Sequence, residues 1–458
     1  MRSLARKLLV WPATLVLSLL AFRLLFGRDF RLPTTTLVFR DDGDISTLDN
    51  SHVNINSQQD AGPPGPPVYA AGMYMAGQRP RNESACRWYH GLPDVLSYPP
   101  SRLTWSSEIG EKSPYRVLPF VLLGAVEATD SLPQVTLSTH ATADQVYGIV
   151  ELARRWEGPL SLAVFAPGLD AGLAVAQLDR ACRCEPAMYK VSVHLVFPAG
   201  RPPALSAISR THQGDCAASD LQWRQAETER RKRRMTYPIN VARNMARTMA
   251  NTSRVLVSDI ELLPSARLAS GFMEMVHHRP PKHGVVFVVP VFEIESNEQP
   301  PATKRELLAA CSAGLAVYFH RFVCPHCQRF PGLTRWLIRP DPGRIRPLIV
   351  TKREYPHHRW EPLFIGTRDD PLYTEEMSWE GKQDKMAQMF EMCLLNYRLV
   401  VLDGAFLVHT PGIKRKTHKI NAATQEFFRS HERRNARIYQ RVIKRLIKRY
   451  PINRRCAH

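Results

Sequence analysis

The chain has 458 residues, 44% of them hydrophobic, and a formal net charge of +20 at pH 7. Its length excludes a small module without a sizeable core and suits one or two domains with appendages. Residues 414–455 hold fifteen Lys and Arg against only Glu426 and Glu432, and Arg230–Arg234 is a second basic run. This bias favours an anionic partner such as nucleic acid, an acidic glycan, an anionic substrate or a lipid surface.

The first 26 residues predict a membrane anchor. Leu8–Phe26 contains a single charge, Arg23, and follows a start with three basic residues and no acid. This pattern is typical of a signal anchor with residues 1–7 in the cytosol, residues 8–26 in the membrane and the remainder in the lumen. A cleaved signal peptide is the alternative, because the uncharged part, Leu8–Phe22, is short. Either way the chain enters the secretory pathway, which argues against nucleic acid and lets thiols oxidise.

Residues 27–85 are polar and turn-rich and include Gly62–Pro67, with the sequence GPPGPP. They cannot bury enough apolar surface to fold alone, so we expect a flexible stem. The folded domain then spans residues 86–458. The sequons that begin at Asn82 and Asn251 predict a glycoprotein.

Strands and helices alternate through the folded domain. The sequence predicts strands over residues 117–125, 134–138, 160–165, 191–197, 254–257 and 284–292, and a strand, turn and strand over 400–408. It predicts helices over residues 143–156, 169–183, 237–250, 266–276, 383–393 and 425–450, another helix beginning at 301–303, and an irregular region over 323–361. This order predicts an α/β protein with a mostly parallel, doubly wound sheet, and the last helix is basic and amphipathic.

A pair of acids follows the apolar run Arg254–Val257. Asp259 and Glu261 lie at positions i and i+2, which in extended chain point to the same side. Two carboxylates at one point suit Mg²⁺ or Mn²⁺ with substrate phosphates completing the coordination. An isolated acid-x-acid triplet is often a solvated turn. The position at the carboxyl end of a buried strand favours the metal site.

Cys324 and Cys327 form a C-P-H-C sequence, which also occurs at dithiol-oxidase sites that open a long helix. Here Pro331 and Gly332 would interrupt such a helix within two turns. We therefore predict a structural disulfide, with redox catalysis or zinc binding as the alternatives. Nine cysteines leave at least one unpaired within the chain or joined to another chain.

A series of motifs resembles the beta-1,4-glucuronyltransferase family and its LARGE-type relatives, in one order from about residue 115 to the C-terminus. The motifs are VTLSTHAT (135–142), RRWEGPLSLAVFA (154–166), YPINVARNMAR (237–247), VSDIELLPS (257–265), VVPVFEIE (288–295), CPHCQ (324–328), WEP (360–362), DGAFLVH (403–409) and RRC (454–456).

The resemblance implies a GT-A glycosyltransferase fold, a Rossmann-like mixed sheet flanked by helices. It also implies a single-pass type II Golgi membrane enzyme with a lumenal catalytic domain. Such an enzyme transfers glucuronic acid from UDP-glucuronic acid, with inversion and with Mn²⁺ or possibly Mg²⁺, to a xylose-ended glycan. The O-mannosyl chain of alpha-dystroglycan is the example in that family.

The resemblance also assigns a metal-ligand set. Asp259 and Glu261 occupy the acid-x-acid positions, and His409 would be the third protein ligand, from a remote strand. The family's usual second acid is Asp, so Glu261 is a departure. Its longer side chain still allows ligation, and we expect an altered metal affinity.

Four further residues are candidates for donor binding. Arg243 and Asn244 lie on the helix before the acidic pair, and Thr139 and His140 lie at the end of an earlier strand, where they would line the uridine side. Arg243 could equally be a surface residue of an amphipathic helix.

The base that deprotonates the acceptor hydroxyl is sought in residues 373–384. Asp384 is the preferred candidate, with Glu376 and Glu380 as alternatives, because the segment departs from the family's pattern. The glucuronate carboxylate should meet an Arg or Lys that the sequence does not identify.

Three other functions are kept open. Glu261 and the altered acceptor segment are compatible with an inactive, glycosyltransferase-like accessory protein. The Cys324 and Cys327 pair is compatible with a lumenal dithiol protein. Separately, the basic helix over residues 425–450 could bind acidic glycans.

Overall fold

The computed structural model describes residues 84–124, 132–205, 216, 227–277, 282–415, 421–451 and 453–456. The expected cytosolic tail, membrane anchor, nearly all of the stem and the Asn82 sequon lie outside these residues. Within them, no helix is both long enough and apolar enough to cross a bilayer.

The described residues form strands and helices as follows. The strands are β1 (Arg87–Trp88), β2 (Tyr115–Leu123), β3 (Val135–Thr142), β4 (Leu160–Phe165), β5 (Val191–Pro198), β6 (Arg254–Val257), β7 (Leu262–Pro264), β8 (Val285–Val289), β9 (Val291–Ile294), β10 (Ala316–Tyr318), β11 (Arg346–Thr351), β12 (Leu363–Gly366), β13 (Arg398–Asp403) and β14 (Leu407–His409). The α-helices are α1 (Ile149–Arg155), α2 (Asp170–Cys184), α3 (Glu229–Lys232), α4 (Ile239–Thr248), α5 (Leu268–Met275), α6 (Lys304–Ser312), α7 (Pro325–Gln328), α8 (Leu333–Ile338), α9 (Met386–Leu394) and α10 (Ala422–Arg449).

The larger sheet has the order β1-β2-β5-β4-β3-β6-β12-β8-β13-β11 within the described residues. Strands β5, β4, β3 and β6 are parallel, with Leu137 of β3 opposite both Leu160 of β4 and Leu256 of β6. Strand β12 is antiparallel to both of its neighbours, β6 and β8. The sheet is thus mixed, which confirms the α/β class and limits the predicted parallel pairing to part of the sheet.

The predicted strand over residues 284–292 is wrong in one respect, because Pro290 divides it into β8 and β9. Proline has no N–H to donate to a ladder, and the Pro290 carbonyl instead accepts a hydrogen bond from Leu407. Strand β9 belongs to a second sheet, ordered β10-β9-β14-β7. The chain makes the same passage between sheets from β13 to β14, through Gly404 at a φ of +80°.

The region over residues 323–361, predicted to be irregular, contains α7, α8 and β11. These elements are too short for their apolar spacing to predict them. The helix predicted over residues 383–393 begins later, at Met386, so that Asp384 and Lys385 immediately precede it.

Four disulfides join cysteines of the described residues, namely Cys86–Cys182, Cys184–Cys216, Cys324–Cys327 and Cys393–Cys456. The predicted Cys324–Cys327 disulfide is therefore confirmed. Cys311 is the free cysteine, as the odd number of cysteines requires.

Candidate active site

The two acids of the acid-x-acid triplet lie in a tight turn between β6 and β7. The Leu262 N–H donates to the Asp259 carbonyl at 3.0 Å, which closes a four-residue turn. The expectation of an extended chain at this triplet is therefore wrong. The turn does follow the carboxyl end of β6, as predicted, and both side chains remain partly exposed, at 29% for Asp259 and 34% for Glu261.

Asp259 is held by a histidine and an arginine. His140 Nε2 lies 3.0 Å from Asp259 Oδ1, and Arg243 donates to the same oxygen at 3.1 Å. On its other side, His140 Nδ1 lies 2.8 Å from the Tyr237 hydroxyl. Burial lowers the pKa of His140, so its imidazole is neutral and donates from Nε2 to the carboxylate while accepting from Tyr237.

The Asp259 carboxyl is ionised. Burial alone would raise its pKa, but Lys385, Arg243 and the His140 hydrogen bond outweigh burial and hold the pKa well below its usual value. The site thus presents a fixed carboxylate at the carboxyl end of the parallel strands.

Glu261 faces His409 of β14. His409 Nε2 lies 3.2 Å from Glu261 Oε2, and His409 Nδ1 lies 3.0 Å from the carbonyl oxygen of Gly412. A carbonyl can only accept, so Nδ1 carries a hydrogen, and Nε2 needs a proton or a cation to face a carboxylate favourably. Burial alone would raise the pKa of Glu261, but His409 and then Lys414 hold it below its usual value.

A divalent cation fits the chemistry of these residues. Two carboxylates and an imidazole with its second nitrogen bound to a carbonyl form a donor set that Mn²⁺ accepts. We also asked where three His, Cys, Asp or Glu side chains have all their ligating atoms within 4.8 Å of one another. Among the described residues, the only such group is Cys324, His326 and Cys327. Asp259 and the Glu261–His409 pair are not gathered that closely, and the two cysteines form a disulfide rather than thiolate ligands.

Helix α4 anchors the segment over residues 367–384 through polar side chains of one face. Asn240 donates to the carbonyls of Thr374 and Asp384, each at 2.8 Å. Arg247 donates to carbonyls of the same segment, including that of Pro371 at 2.9 Å. The spacing of these residues along the helix explains why the motif YPINVARNMAR contains several buried polar residues.

Arg243 joins the acidic turn to this segment. It donates to Asp259 at 3.1 Å and to Asp384 Oδ2 at 3.0 Å, and its side chain is only 2% exposed. Asn244 is fully buried and binds the backbone of Tyr373 through both its amide nitrogen and its oxygen. These contacts make Arg243 and Asn244 positioning residues in this structure. A contact of either residue with the nucleotide-sugar donor stays a prediction.

The Thr139 side chain is also fully buried, because β3 does not end there but continues to Thr142. His140 is 5% exposed and reaches the site through Asp259. A uridine contact by Thr139 or His140 stays a prediction.

The three candidate bases have different surroundings. Asp384 uses one oxygen for Arg243, and its side chain is 11% exposed. Glu380 is buried against Arg230 and the backbone N–H of Tyr237. Glu376 pairs with Arg441 of α10 at 3.1 Å. Of the three, only Asp384 contacts the group of side chains around Asp259.

Sequence reasoning missed Lys385 and Glu361. Lys385 is 9% exposed, and its charge lowers the pKa of Asp259. The pKa of Glu361 is raised to about 7. Burial is the main cause and the charge of Asp384 adds to it, whereas the charge of Lys385 lowers the pKa. The signals available were the position of Lys385 next to Asp384 and that of Glu361 in the motif WEP.

Comparisons with known proteins identify the family. A family model described as "Glycosyl-transferase for dystroglycan" matches residues 134–451. Beta-1,4-glucuronyltransferase 1 of Danio rerio is 31% identical, over 70% of this chain and 75% of its own length, and its Mus musculus counterpart is 30% identical, over 72% and 79%. Xylosyl- and glucuronyltransferase LARGE2 of Homo sapiens is 26% identical, over 60% of this chain and 33% of its own.

Among solved structures, TarS of S. aureus matches with a TM-score of 0.31 and 11% identity over 59% of each chain, and this match supports no argument. The family match and the relatives together define an enzyme that transfers a sugar, a glycosyltransferase. The chain belongs to the family described as glycosyl-transferases for dystroglycan.

Proposed function

We propose that this protein transfers glucuronic acid from UDP-glucuronic acid, with inversion, to a xylose-ended glycan of the O-mannosyl type found on dystroglycan. The glucuronyl group and dystroglycan are in the names of the relatives and of the family, and the UDP donor and the xylose-ended, O-mannosyl acceptor follow from the motif resemblance. The observation that carries the proposal is the pair of acids at the end of β6, with Asp259 held ionised and Glu261 facing His409. A GT-A arrangement of the domain is part of the same proposal, supported by the mixed sheet and the position of the acids.

Asp259, Glu261 and His409 would hold Mn²⁺, or alternatively Mg²⁺. Such a cation, when bound, neutralises the charge that develops on a departing diphosphate. The chain's own contribution is to keep Asp259 ionised and to orient His409 through the Gly412 carbonyl.

The acceptor hydroxyl needs one base for an inverting displacement. Asp384 is our first candidate, because Arg243 binds its Oδ2 and leaves Oδ1 for the acceptor. Glu361 is the second, because a base with a pKa near 7 is well matched to neutral pH. Loss of kcat in Asp384→Asn but not in Glu361→Gln would support the first assignment, and the reverse result would support the second.

The experiment uses the full chain, produced in a eukaryotic secretory host and purified in detergent. Release of UDP and product formation are measured with several UDP-sugars and xyloside acceptors, with Mn²⁺ and with a chelator. We expect transfer from UDP-glucuronic acid only, its loss with the chelator, and at least a hundredfold loss in Asp259→Asn. The exposed Arg433→Gln serves as a control variant with unchanged activity. Binding of UDP without turnover of any donor would support the inactive, accessory alternative.

We also propose a type II location in the Golgi membrane, with the catalytic domain in the lumen. The apolar segment Leu8–Phe26 and the disulfides of the folded domain support an anchored protein in an oxidising compartment. Asn251 is exposed and could carry a glycan. Coincidence with a Golgi marker in microscopy, and sensitivity of the protein's mass to an N-glycosidase, test this location.

Helix α10 is our candidate for contact with an acidic glycan. Its exposed side chains include Arg429, Arg434, Arg437, Lys444 and Lys448. Retention on heparin that falls steeply with salt, and that weakens when three of these residues become Gln, is expected. Unchanged retention of the triple variant would place the binding elsewhere.

A further inference from the structure

Lys385 is a charged side chain that the folded chain leaves without a close partner. It lies immediately before α9 and is 9% exposed. Across the described residues, no carboxylate oxygen lies within 4.0 Å of its ammonium group, whereas the buried Arg243 and Lys304 each have such a contact. Burying a charge without a direct counter-ion costs free energy. A bound anion would offset that cost.

The surroundings of Lys385 keep it charged. Burial and Arg243 lower its pKa, but Asp259, Asp384 and Glu361 outweigh them and raise it above the usual value. The ammonium group therefore stands among three carboxyl groups of the site without touching any of them. It is a positive charge next to the candidate base Asp384, its neighbour in the chain.

A second lysine, Lys414, acts on the other acid of the turn. Lys414 is exposed and acts on Glu261, whose pKa it helps to lower, whereas Lys385 acts on Asp259, Asp384 and Glu361. The donor carries two kinds of negative charge, the diphosphate and the sugar carboxylate. The lysine beside the candidate bases is the one near the reacting sugar, because the base must reach the acceptor hydroxyl at the anomeric carbon.

We propose that Lys385 binds the carboxylate of the donor sugar and thereby makes the enzyme prefer an acidic over a neutral nucleotide sugar. This inference rests on the proposed function. A charge-assisted hydrogen bond between an ammonium group and a carboxylate is one of the stronger polar contacts. A neutral sugar would leave Lys385 unpaired in a site that already holds several carboxylates, so the neutral donor is disfavoured.

The test compares Lys385→Met and Lys385→Arg with the unmodified full chain. UDP-glucuronic acid, UDP-glucose and UDP are each titrated by calorimetry with Mn²⁺, and kcat/KM is measured for both sugars. We expect Lys385→Met to weaken the binding of UDP-glucuronic acid by about 10- to 100-fold. The affinities for UDP and UDP-glucose should change less than about twofold. Lys385→Arg should recover part of the loss because it keeps the charge.

Lys414→Met is the matched comparison, since Lys414 acts on Glu261. If the Lys414 side chain contacts the diphosphate, this variant should bind all three ligands more weakly, by the same factor. An equal loss of affinity for all three ligands in Lys385→Met would overturn the proposal, because it would mean that Lys385 contacts the diphosphate. An unchanged preference for the acidic sugar would overturn it too.

The binding measurements also separate this inference from the proposed function. Unmodified protein that binds UDP-glucuronic acid more tightly than UDP-glucose but transfers neither sugar would refute the transfer reaction, while the Lys385 variants could still be compared by binding. Unmodified protein that binds the two sugars equally would overturn the role of Lys385. Thermal unfolding of each variant identifies any loss that comes from misfolding.

Discussion

Arg243 is the residue that joins the two halves of the site. It is almost fully buried and donates to Asp259, Asp384 and Asn240. Its planar, forked guanidinium can reach carboxylates on two different segments, which an ammonium group on a flexible stem does less well.

Replacing Arg243 by Met should therefore cost about 3–5 kcal/mol of unfolding free energy, because the buried Asp384 and the partly exposed Asp259 lose their shared partner. Urea unfolding of the purified variant measures this loss. Arg243→Lys keeps the charge and should lose less. Equal stability of the Met variant and the unmodified protein would show that Arg243 does not hold these segments together.

Glu361 gives the folded protein a specific pH dependence. Its pKa is about 7 in the fold and its ordinary value is 4.5, so its ionisation above that ordinary value disfavours the folded state. The cost should appear as pH rises through the window from 4.5 to 7 and be complete above it.

Glu361→Gln removes this cost. In metal-free buffer, the unmodified protein should therefore lose stability relative to Glu361→Gln as the pH rises from 5 to 8. The quantity compared is the unfolding free energy of the two proteins. Chemical unfolding at several pH values gives this difference. A constant difference across the window would contradict the raised pKa.

His409 is expected to contribute to metal affinity. His409→Gln should weaken Mn²⁺ binding at least about tenfold in calorimetry, because it would remove the proposed nitrogen ligand, which a carbonyl orients. His326→Ala, an exposed histidine of the disulfide loop, is the control. Unchanged affinity in His409→Gln would remove His409 from the ligand set.

At the scale of residues, motifs named candidate side chains of the site but not the contacts between them. The resemblance named Asp259, Arg243 and His140, and in the structure His140 and Arg243 both bind Asp259. Lys385 and Glu361 could not be selected, because their charges matter only through neighbours distant in sequence. No spacing rule distinguishes them from the many other charged residues of the chain.

At the scale of elements, α10 supports the segment that precedes the site. Asn435 of α10 is buried, donates to the carbonyls of Ser378 and Lys382, and accepts from the Ser378 N–H. A side chain at Gly381 would overlap Asn435, with a Cβ only 2.1 Å from its amide carbon. The helix therefore fixes the turn that leads to Asp384 and Lys385.

Asn435→Ala should cost about 1–3 kcal/mol, because it leaves buried backbone groups without partners. We also expect a lower kcat, since the turn that positions Asp384 is loosened. Urea unfolding and steady-state assays measure both effects. Gln440→Ala, on the exposed side of the same helix, should change neither quantity. Loss of stability with unchanged kcat would mean that the turn does not govern the site.

Long, strongly patterned elements were predictable, and short ones were not. The buried runs that form β4, β5 and β6 and the amphipathic α10 lie where the sequence predicts them, whereas β3 continues to Thr142, beyond the predicted end at Ser138. Strand β7 has only three residues and forms because it pairs with β14, which follows it by more than a hundred residues. Local patterns contain no information about such a partner, so the turn at Asp259 appeared as extended chain.

At the scale of the whole molecule, the last residues are tied back to the domain. The Cys393–Cys456 disulfide links the end of α9 to the segment after α10. Asn453 adds a longer hydrogen bond to the Cys393 carbonyl, at 3.4 Å. These contacts connect the C-terminal end of α10 to α9, and the apolar face of α10 packs against the same helix.

Replacing both Cys393 and Cys456 by Ser should lower the unfolding free energy by about 2–5 kcal/mol, because the unfolded chain gains freedom. Scanning calorimetry under non-reducing conditions measures the accompanying fall in Tm. Cys311→Ser, at the free cysteine, should leave Tm nearly unchanged. Equal Tm values for the double variant and the control would show that this disulfide is dispensable.

The order of strands was the least predictable property of the fold. Alternating strands and helices predicted parallel neighbours, and this holds for β5, β4, β3 and β6. Strand β12 instead lies antiparallel between β6 and β8, although it follows both in the chain. Its place depends on pairing energies between distant segments, which the local alternation of strand and helix does not encode.

During synthesis, a ribosome delivers Asp259, Glu261 and His409 before any residue of α10. The turn before Asp384 can acquire its support from Asn435 only after that helix has emerged from the exit tunnel. A premature stop codon within α10 should consequently yield a chain in which the turn before Asp384 lacks the support of Asn435.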